Sequence, residues 1–281
     1  MPLETADQNE TWEGGGGMKS GRVKRLFLFI WMFAAAGICF AGCGDGARAE
    51  REDTAGERTG SEDMAGEEED RLGMETAADG HIDLEALQKQ NPDIFAWLYV
   101  PGTDIDGPVL QSGIADDYYE SHTADGKEGE TGALYTEMAN LMNMCDFNTI
   151  IHGKDEKEGD ILYDMHFFEN PDFFAEHNKL YLYLSDNVLT YEIVAAYYDE
   201  GSDILRRHDY TTFQGCQDYL MQMYGAKDMG KNFREGWEEL TPYHFLLTLN
   251  GSTENSTASQ YVVIGVLVED AAGQIERVIL D

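Results

Sequence analysis

The fold of this chain is decided by the stretch Asn91-Pro-Asp-Ile-Phe-Ala-Trp-Leu-Tyr-Val-Pro-Gly-Thr-Asp-Ile-Asp-Gly-Pro-Val-Leu-Gln111. Apolar and polar residues alternate between its Pro and Gly residues, and this pattern favours strands joined by tight turns. Just before it, Ile82, Leu84 and Leu87 form the apolar face of a short helix over residues 81–90. Asn91-Pro92 supplies the stop signal of that helix.

Further along the chain, short strands outnumber helices. The pattern predicts seven more strands, over residues 132–135, 148–152, 179–184, 189–198, 243–249, 261–269 and 276–280. Two helices interrupt the series, over 161–168 and 211–224, and their apolar stripes should face the core. Many short strands with few helices indicate a mostly β domain of the α+β class, built as an antiparallel barrel or sandwich.

The charge of the chain restricts its partners and its domain organisation. Its 54 acidic and 19 basic residues give a net charge of −35, which excludes nucleic acid as a partner because such binding draws on clustered Lys and Arg. Residues 44–80 are rich in Glu, Asp, Gly and Ala, and they cannot bury enough surface to fold. We therefore predict an acidic disordered tether over 44–80 and one folded domain over 81–281.

A targeting segment is predicted over residues 18–43. Four basic residues between Lys19 and Arg25 precede an apolar run that ends in Phe-Ala-Gly-Cys43, similar to a bacterial lipoprotein cleavage site with Cys43 as the lipidated residue. An uncleaved membrane anchor is the other interpretation, because the 18 residues from Leu26 to Cys43 reach the lower limit of a span. Both export the domain. Translation is predicted to start at Met18, so residues 1–17 should be untranslated or unstructured.

Few residues suit a disulfide or a metal. Only Cys145 and Cys216 could serve the exported domain, and sequence leaves open whether they form a disulfide or two separately buried thiols. No Cys/His cluster has the spacing of a zinc site, and no cofactor is predicted. An acidic loop could bind calcium, but without the alternation of a calcium loop we predict that its carboxylates are solvated; they are Asp155, Glu156, Glu158 and Asp160.

A family resemblance sharpens this prediction. Residues 91–111, followed by Asp117-Tyr-Tyr119, Gly132-Ala-Leu-Tyr135 and Asn148-Thr-Ile-Ile-His-Gly-Lys154, resemble the class B sortases over about residues 81–281. The resemblance implies a closed β-barrel with a short N-terminal helix and one or two inserted helices. It also implies a cysteine-type transpeptidase, which cuts a sorting peptide, holds it as a thioester and passes it to an amine.

The catalytic positions depart from that family. Where the resemblance implies His, Cys and Arg, this chain has Lys154, Ser252 and Gln260. A serine hydroxyl is barely ionised near neutral pH, a lysine stays protonated unless it is desolvated, and a glutamine carries no charge to stabilise an oxyanion. We therefore predict that transpeptidation has been lost.

Two arrangements could restore activity. A buried Lys154 could activate Ser252 as a Ser-Lys pair, although the charged loop around Lys154 argues against burial. His152 lies two residues before Lys154 on the same strand face, but this position is a packed aromatic in the family, so we predict a structural role for His152.

The resemblance and the targeting segment together predict a function. We expect an exported domain at the outer face of the cytoplasmic membrane of a Gram-positive bacterium, held there through its N-terminus. It should bind a sorting-signal peptide, a surface or pilin protein, or an active sortase. The alternatives are a weak Ser252-dependent transpeptidase or hydrolase, and a structural envelope lipoprotein.

Overall fold

The computed structural model describes residues 82–201, 203–252 and 259–276. The predictions for residues 1–17, 18–43 and 44–80 lie outside the described residues, as does the strand predicted over 276–280 except for Glu276, which is not in a strand. No helix in the described ranges is long and apolar enough to cross a membrane.

The described chain forms nine strands and four α-helices. The strands are β1 (Ile94–Tyr99), β2 (Asp106–Leu110), β3 (Leu134–Tyr135), β4 (Asn148–Lys154), β5 (Lys179–Leu184), β6 (Asn187–Glu200), β7 (Asn232–Phe233), β8 (Leu246–Ser252) and β9 (Ser259–Asp270). The helices are α1 (Leu84–Gln90), α2 (Pro171–Glu176), α3 (Ile204–Arg207) and α4 (Phe213–Gly225), and 3-10 helices cover Tyr118–Glu120 and Tyr163–Glu169.

Eight of these strands close into a barrel. Their order is β5-β1-β2-β3-β4-β8-β9-β6, and β6 closes the ring by pairing with β5, whereas β7 adds to the far half of β6. Closure is possible because β6 is long: its first half pairs with β5, while β9 pairs along nearly all of its other edge. A closed barrel leaves no exposed strand edge within the ring. The predicted mostly β barrel with a short N-terminal helix is confirmed. The prediction that it is antiparallel is wrong for two pairs, because β2 pairs with β3 and β4 pairs with β8 in parallel.

The stretch 91–111 folds as its turn residues require. Gly102 has a φ of 87°, a conformation that favours glycine, and the turn it forms joins β1 to β2 as an antiparallel pair. Trp97 is 1% exposed and its Nε1 donates a hydrogen bond to Asp106 Oδ1 at 2.6 Å. Asn91, at the end of α1, donates to the Tyr119 hydroxyl at 2.9 Å, and so joins the helix end to the 3-10 helix Tyr118–Glu120.

Two apolar layers flank the sheet. Successive side chains of β4 point to opposite faces of the sheet. Ile151 therefore lies in the barrel interior with Leu162, Met165 and Phe168, and Ile150 lies on the outer face. On that outer face α4 buries Cys216, Leu220 and Met223, as its stripe predicted. Cys216 and Cys145 are both free thiols, so the two are not joined by a disulfide.

Candidate functional site

The predicted catalytic positions lie on three adjacent strands. Lys154 ends β4 and Ser252 ends β8, and the parallel register of the two strands makes these residues direct partners. The antiparallel pairing of β8 with β9 extends to Asn250 opposite Val262. Gln260 lies near the start of β9, beyond the last paired residues of β8 and β9. The structure thus places Lys154 beside Ser252, with Gln260 on the next strand of the sheet.

Lys154 borders a small pocket on the outer face. Its Nζ donates a hydrogen bond to the Glu130 carbonyl at 2.8 Å. The pocket has a volume of about 500 Å³, and its wall includes Tyr118 and His122, whose rings stack with centroids 3.8 Å apart. Asp117 and Glu120 also line it. In this structure Lys154 acts as a hydrogen-bond donor at the edge of the pocket.

His152 is packed, as its predicted structural role requires. Its side chain is 14% exposed, and its ring stacks on Tyr135 with a centroid distance of 5.2 Å. Burial lowers the pKa of His152 from the usual 6.5 to about 4. Its Nε2 lies 3.5 Å from Glu137 Oε1, but a neutral imidazole forms no ion pair, so this contact is not a salt bridge at neutral pH. A catalytic role for His152 stays an untested prediction.

Sequence reasoning missed an ion network beside His152. Arg206, on α3, lies 2.8 Å from Glu137 Oε2, 3.1 Å from Asp116 Oδ2 and 3.0 Å from Asp203 Oδ2. Burial raises the pKa of Glu137, and the charge of Arg206 opposes that rise. No local pattern signals this cluster, because its members come from separate loops and from a four-residue helix.

A second arginine, Arg207 of α3, is bonded to the strand that pairs with Gln260. Gln260 pairs with Asp199 of β6, and Arg207 Nη2 donates to Asp199 Oδ2 at 2.5 Å and to the Gly201 carbonyl at 3.1 Å. Asp199 is 6% exposed, so the pair is largely removed from water. Although position 260 carries no charge, a guanidinium is therefore anchored on the neighbouring strand.

The acidic loop after Lys154 is partly buried. Asp155 and Asp160 are 5% and 8% exposed, so the prediction of a fully solvated run is wrong for these two residues, whereas Glu156 and Glu158 are exposed. Asp155 turns inward because it pairs with His166: Asp155 Oδ2 lies 3.1 Å from His166 Nε2. No cluster in the part of the chain that the structure describes has the ligands of a metal site.

His166 lies between two carboxylates. Its Nδ1 is 2.8 Å from Glu169 Oε1, and its ring stacks on Tyr261 with centroids 4.9 Å apart. Hydrogen bonding to Asp155, followed by that to Glu169, raises the pKa of His166 against the effect of burial. The Asp155 carboxylate also fills the space beside Gly251, where no Cβ would fit. The Asp155 carboxylate, which is paired with His166, thus packs against Gly251, the residue before Ser252.

Comparison with known proteins gives sequence relatives. Sortase B of Listeria monocytogenes is 30% identical over 143 residues, which cover 50% of this chain and 57% of that protein. Sortase B of Staphylococcus aureus is 25% identical over 140 residues, which cover 49% of this chain and 56% of that protein. The chain thus spans a little over half the length of these relatives. No family model matches the sequence.

Solved structures show the same fold. A sortase B of Clostridium perfringens superposes with a TM-score of 0.58 at 24% identity, covering 66% of this chain and all of that one. A Staphylococcus aureus sortase B in complex with substrate superposes with the same TM-score at 20% identity, covering 66% of this chain and 84% of that one. The described domain is thus similar in sequence to sortase B proteins over about half of the chain, and it shares the fold of solved sortase B structures.

Proposed function

We propose that this domain binds an extended peptide at the ends of β4, β8 and β9 without cutting it. The observation that carries the proposal is the pairing of Lys154 with Ser252. The two positions at which the family resemblance implies His and Cys stand side by side, and neither holds that residue. A domain of this kind keeps a recognition surface while lacking the groups that break bonds, because recognition and bond-making use partly separate residues.

The chemistry at these positions opposes transpeptidation. The reaction needs a nucleophile that is readily ionised, an acid that protonates the leaving amine, and a positive charge for the oxyanion. Ser252 has a weakly acidic hydroxyl, and the ammonium of Lys154 donates to the Glu130 carbonyl. Gln260 is uncharged, and the guanidinium beside it is already paired with Asp199.

The pocket next to Lys154 supports peptide binding. Its stacked Tyr118 and His122 rings offer an apolar wall, and its acidic residues offer acceptors for main-chain N–H groups. The Staphylococcus aureus sortase B with the same fold has been solved in complex with substrate. By analogy, the ligands we propose are a sorting-signal peptide, a surface or pilin protein that carries one, or an active sortase. The domain would meet them outside the cell, held at the membrane through its N-terminal segment.

Fluorescence anisotropy with labelled sorting-motif peptides tests this proposal, with mass spectrometry of the same samples to detect cleavage. We expect binding without cleavage, and we expect Lys154→Ala to weaken it about fivefold or more. Lys157→Ala is the matched control, since Lys157 is exposed in the loop that follows β4 and does not line the pocket. Absence of binding, or equal effects of the two substitutions, would contradict the proposal.

A weak Ser252-dependent hydrolase is the second candidate, and the register of Lys154 with Ser252 is the observation that favours it. A Ser-Lys pair requires an unprotonated lysine close to the hydroxyl. Turnover that disappears in Ser252→Ala would establish this activity. If the experiments detect no binding and no turnover, a structural envelope lipoprotein remains as the candidate function.

A further inference from the structure

The four-residue helix α3 carries two consecutive arginines that contact different parts of the domain. Arg207 Nη2 donates a hydrogen bond to Asp199 Oδ2 on β6. Arg206 extends instead to two loops: it lies 3.1 Å from Asp116 Oδ2, after β2, and 2.8 Å from Glu137 Oε2, after β3. The helix therefore joins one strand of the barrel to two separate loops.

Both carboxylate oxygens of Asp116 are engaged. Oδ2 accepts a hydrogen bond from Arg206, and Oδ1 accepts one from the Met138 main-chain N–H at 2.8 Å. Arg206 is itself oriented by Asp203 at the start of the helix, because its Nη1 lies 3.0 Å from Asp203 Oδ2. A planar guanidinium that meets several carboxylates at once holds them more firmly than an isolated exposed ion pair does.

The loop that Asp116 belongs to is also a wall of the Lys154 pocket. Ala115 and Asp117, the two neighbours of Asp116 in the chain, both line this pocket. Arg206 does not line it, so its contact with the pocket runs through the loop.

We infer that Arg206 is a positioning residue for the peptide site: by holding Asp116, it fixes the pocket wall in the shape that binds the peptide. The inference rests on the proposed function, because this pocket is the one in which the peptide would bind. A wall that is ordered before binding lowers the entropy cost of association. Without the guanidinium the loop would sample more conformations, and the peptide would bind more weakly although no residue that lines the pocket has changed.

Two measurements on the full chain test the inference. Hydrogen exchange followed by NMR without peptide reports the order of the loop through the amides of Tyr118 and Met138. Fluorescence anisotropy with the labelled sorting-motif peptides reports the affinity.

Three variants are compared with the wild type. Arg206→Met removes the guanidinium and keeps an unbranched side chain, whereas Arg206→Lys keeps the charge but loses the planar fork. Lys227→Met is the control, since Lys227 is exposed, does not line the pocket, and carries the same charge. This control is needed because a chain with a net charge of −35 responds to the loss of any cation.

We expect Arg206→Met to accelerate exchange of the Tyr118 and Met138 amides about fivefold or more. The amide of Ile193, which donates to the Asn178 carbonyl in the barrel, should exchange as in the wild type. The dissociation constant of the peptide should rise about threefold to tenfold in Arg206→Met, less in Arg206→Lys, and less than about twofold in Lys227→Met.

The outcomes separate this inference from the proposed function. A wild-type chain that binds no peptide would refute both. Peptide binding by the wild type with an unchanged dissociation constant in Arg206→Met would overturn the inference alone. Equal acceleration of exchange at Ile193 would also overturn it, because Arg206 would then stabilise the whole domain. If Arg206→Met does not fold, the comparison of Arg206→Lys with Lys227→Met decides in the same way.

Discussion

The burial of His152 makes the stability of the domain depend on pH. Its pKa lies at about 4 in the folded protein, compared with 6.5 for an unperturbed histidine, and burial is the largest cause. Because the folded-state pKa is depressed, unfolded chains bind a proton between pH 6.5 and 4 that folded chains do not. The contribution of His152 to stability is therefore complete above pH 6.5 and is lost as the pH falls.

The size of this effect follows from the same two values. At about 1.4 kcal/mol per pH unit, the free energy of unfolding should fall by about 2 kcal/mol between pH 7 and pH 5, and by about 3 kcal/mol at pH 4. The side chain is only 14% exposed, so solvent screening reduces the effect little. Two of the contacts around the ring, with Tyr135 and Asn250, involve groups that do not titrate in this range.

The assay is urea denaturation of the wild type and of His152→Phe at pH 7, 5 and 4. The phenylalanine keeps a ring against Tyr135 but cannot titrate. His166 acts in the opposite direction, because its raised pKa gives stability that is lost as the pH rises, and it is present in both proteins. The difference between the two proteins therefore reports on His152 together with Glu137, whose carboxylate lies 3.5 Å from the ring and whose pKa is raised by burial. Parallel pH profiles for wild type and variant would refute the reasoning.

Two further predictions concern the candidate site, and a third concerns the start of helix α4. Gly251→Ala should lower the free energy of unfolding by about 1 to 3 kcal/mol, because its methyl group would overlap the buried Asp155 carboxylate. Gly113→Ala, with open space around it, should change the free energy of unfolding by less than about 1 kcal/mol. Asp155→Asn should lower the pKa of His166 in an NMR titration, and an unchanged value would contradict the assigned hydrogen bond. Thr212→Ala should cost about 1 kcal/mol in thermal unfolding, since Thr212 caps α4.

The sequence predicted the barrel well because its strands carry local signals. The Pro and Gly residues of 91–111 mark the turns, and the predicted strand over 179–184 coincides with β5. Strands β6 and β9 extend beyond their predicted ends, since long-range pairing adds residues that alternation alone does not mark. Strand β7 has only two residues and no pattern, so only its pairing with β6 reveals it.

Some residues of the candidate site were also predicted from the sequence, and others were found only in the structure. Lys154, Ser252 and Gln260 were predicted from the resemblance, and the parallel register of β4 with β8 explains why the first two are neighbours. Arg207 and His166 were missed, because their importance depends on contacts with residues distant in sequence or on another element. The burial of Asp155 was missed for the same reason. A charged loop is expected to be solvated, and only the contact with His166 explains why Asp155 is buried.

The central claim is that the peptide site persists while the catalytic groups are gone. The most direct measurement is cleavage of a panel of sorting-motif peptides by the natural chain and by a Lys154→His, Ser252→Cys, Gln260→Arg variant. The account predicts no turnover by the natural chain and measurable turnover by the triple variant. Cleavage by the natural chain that is lost in Ser252→Ala would contradict it.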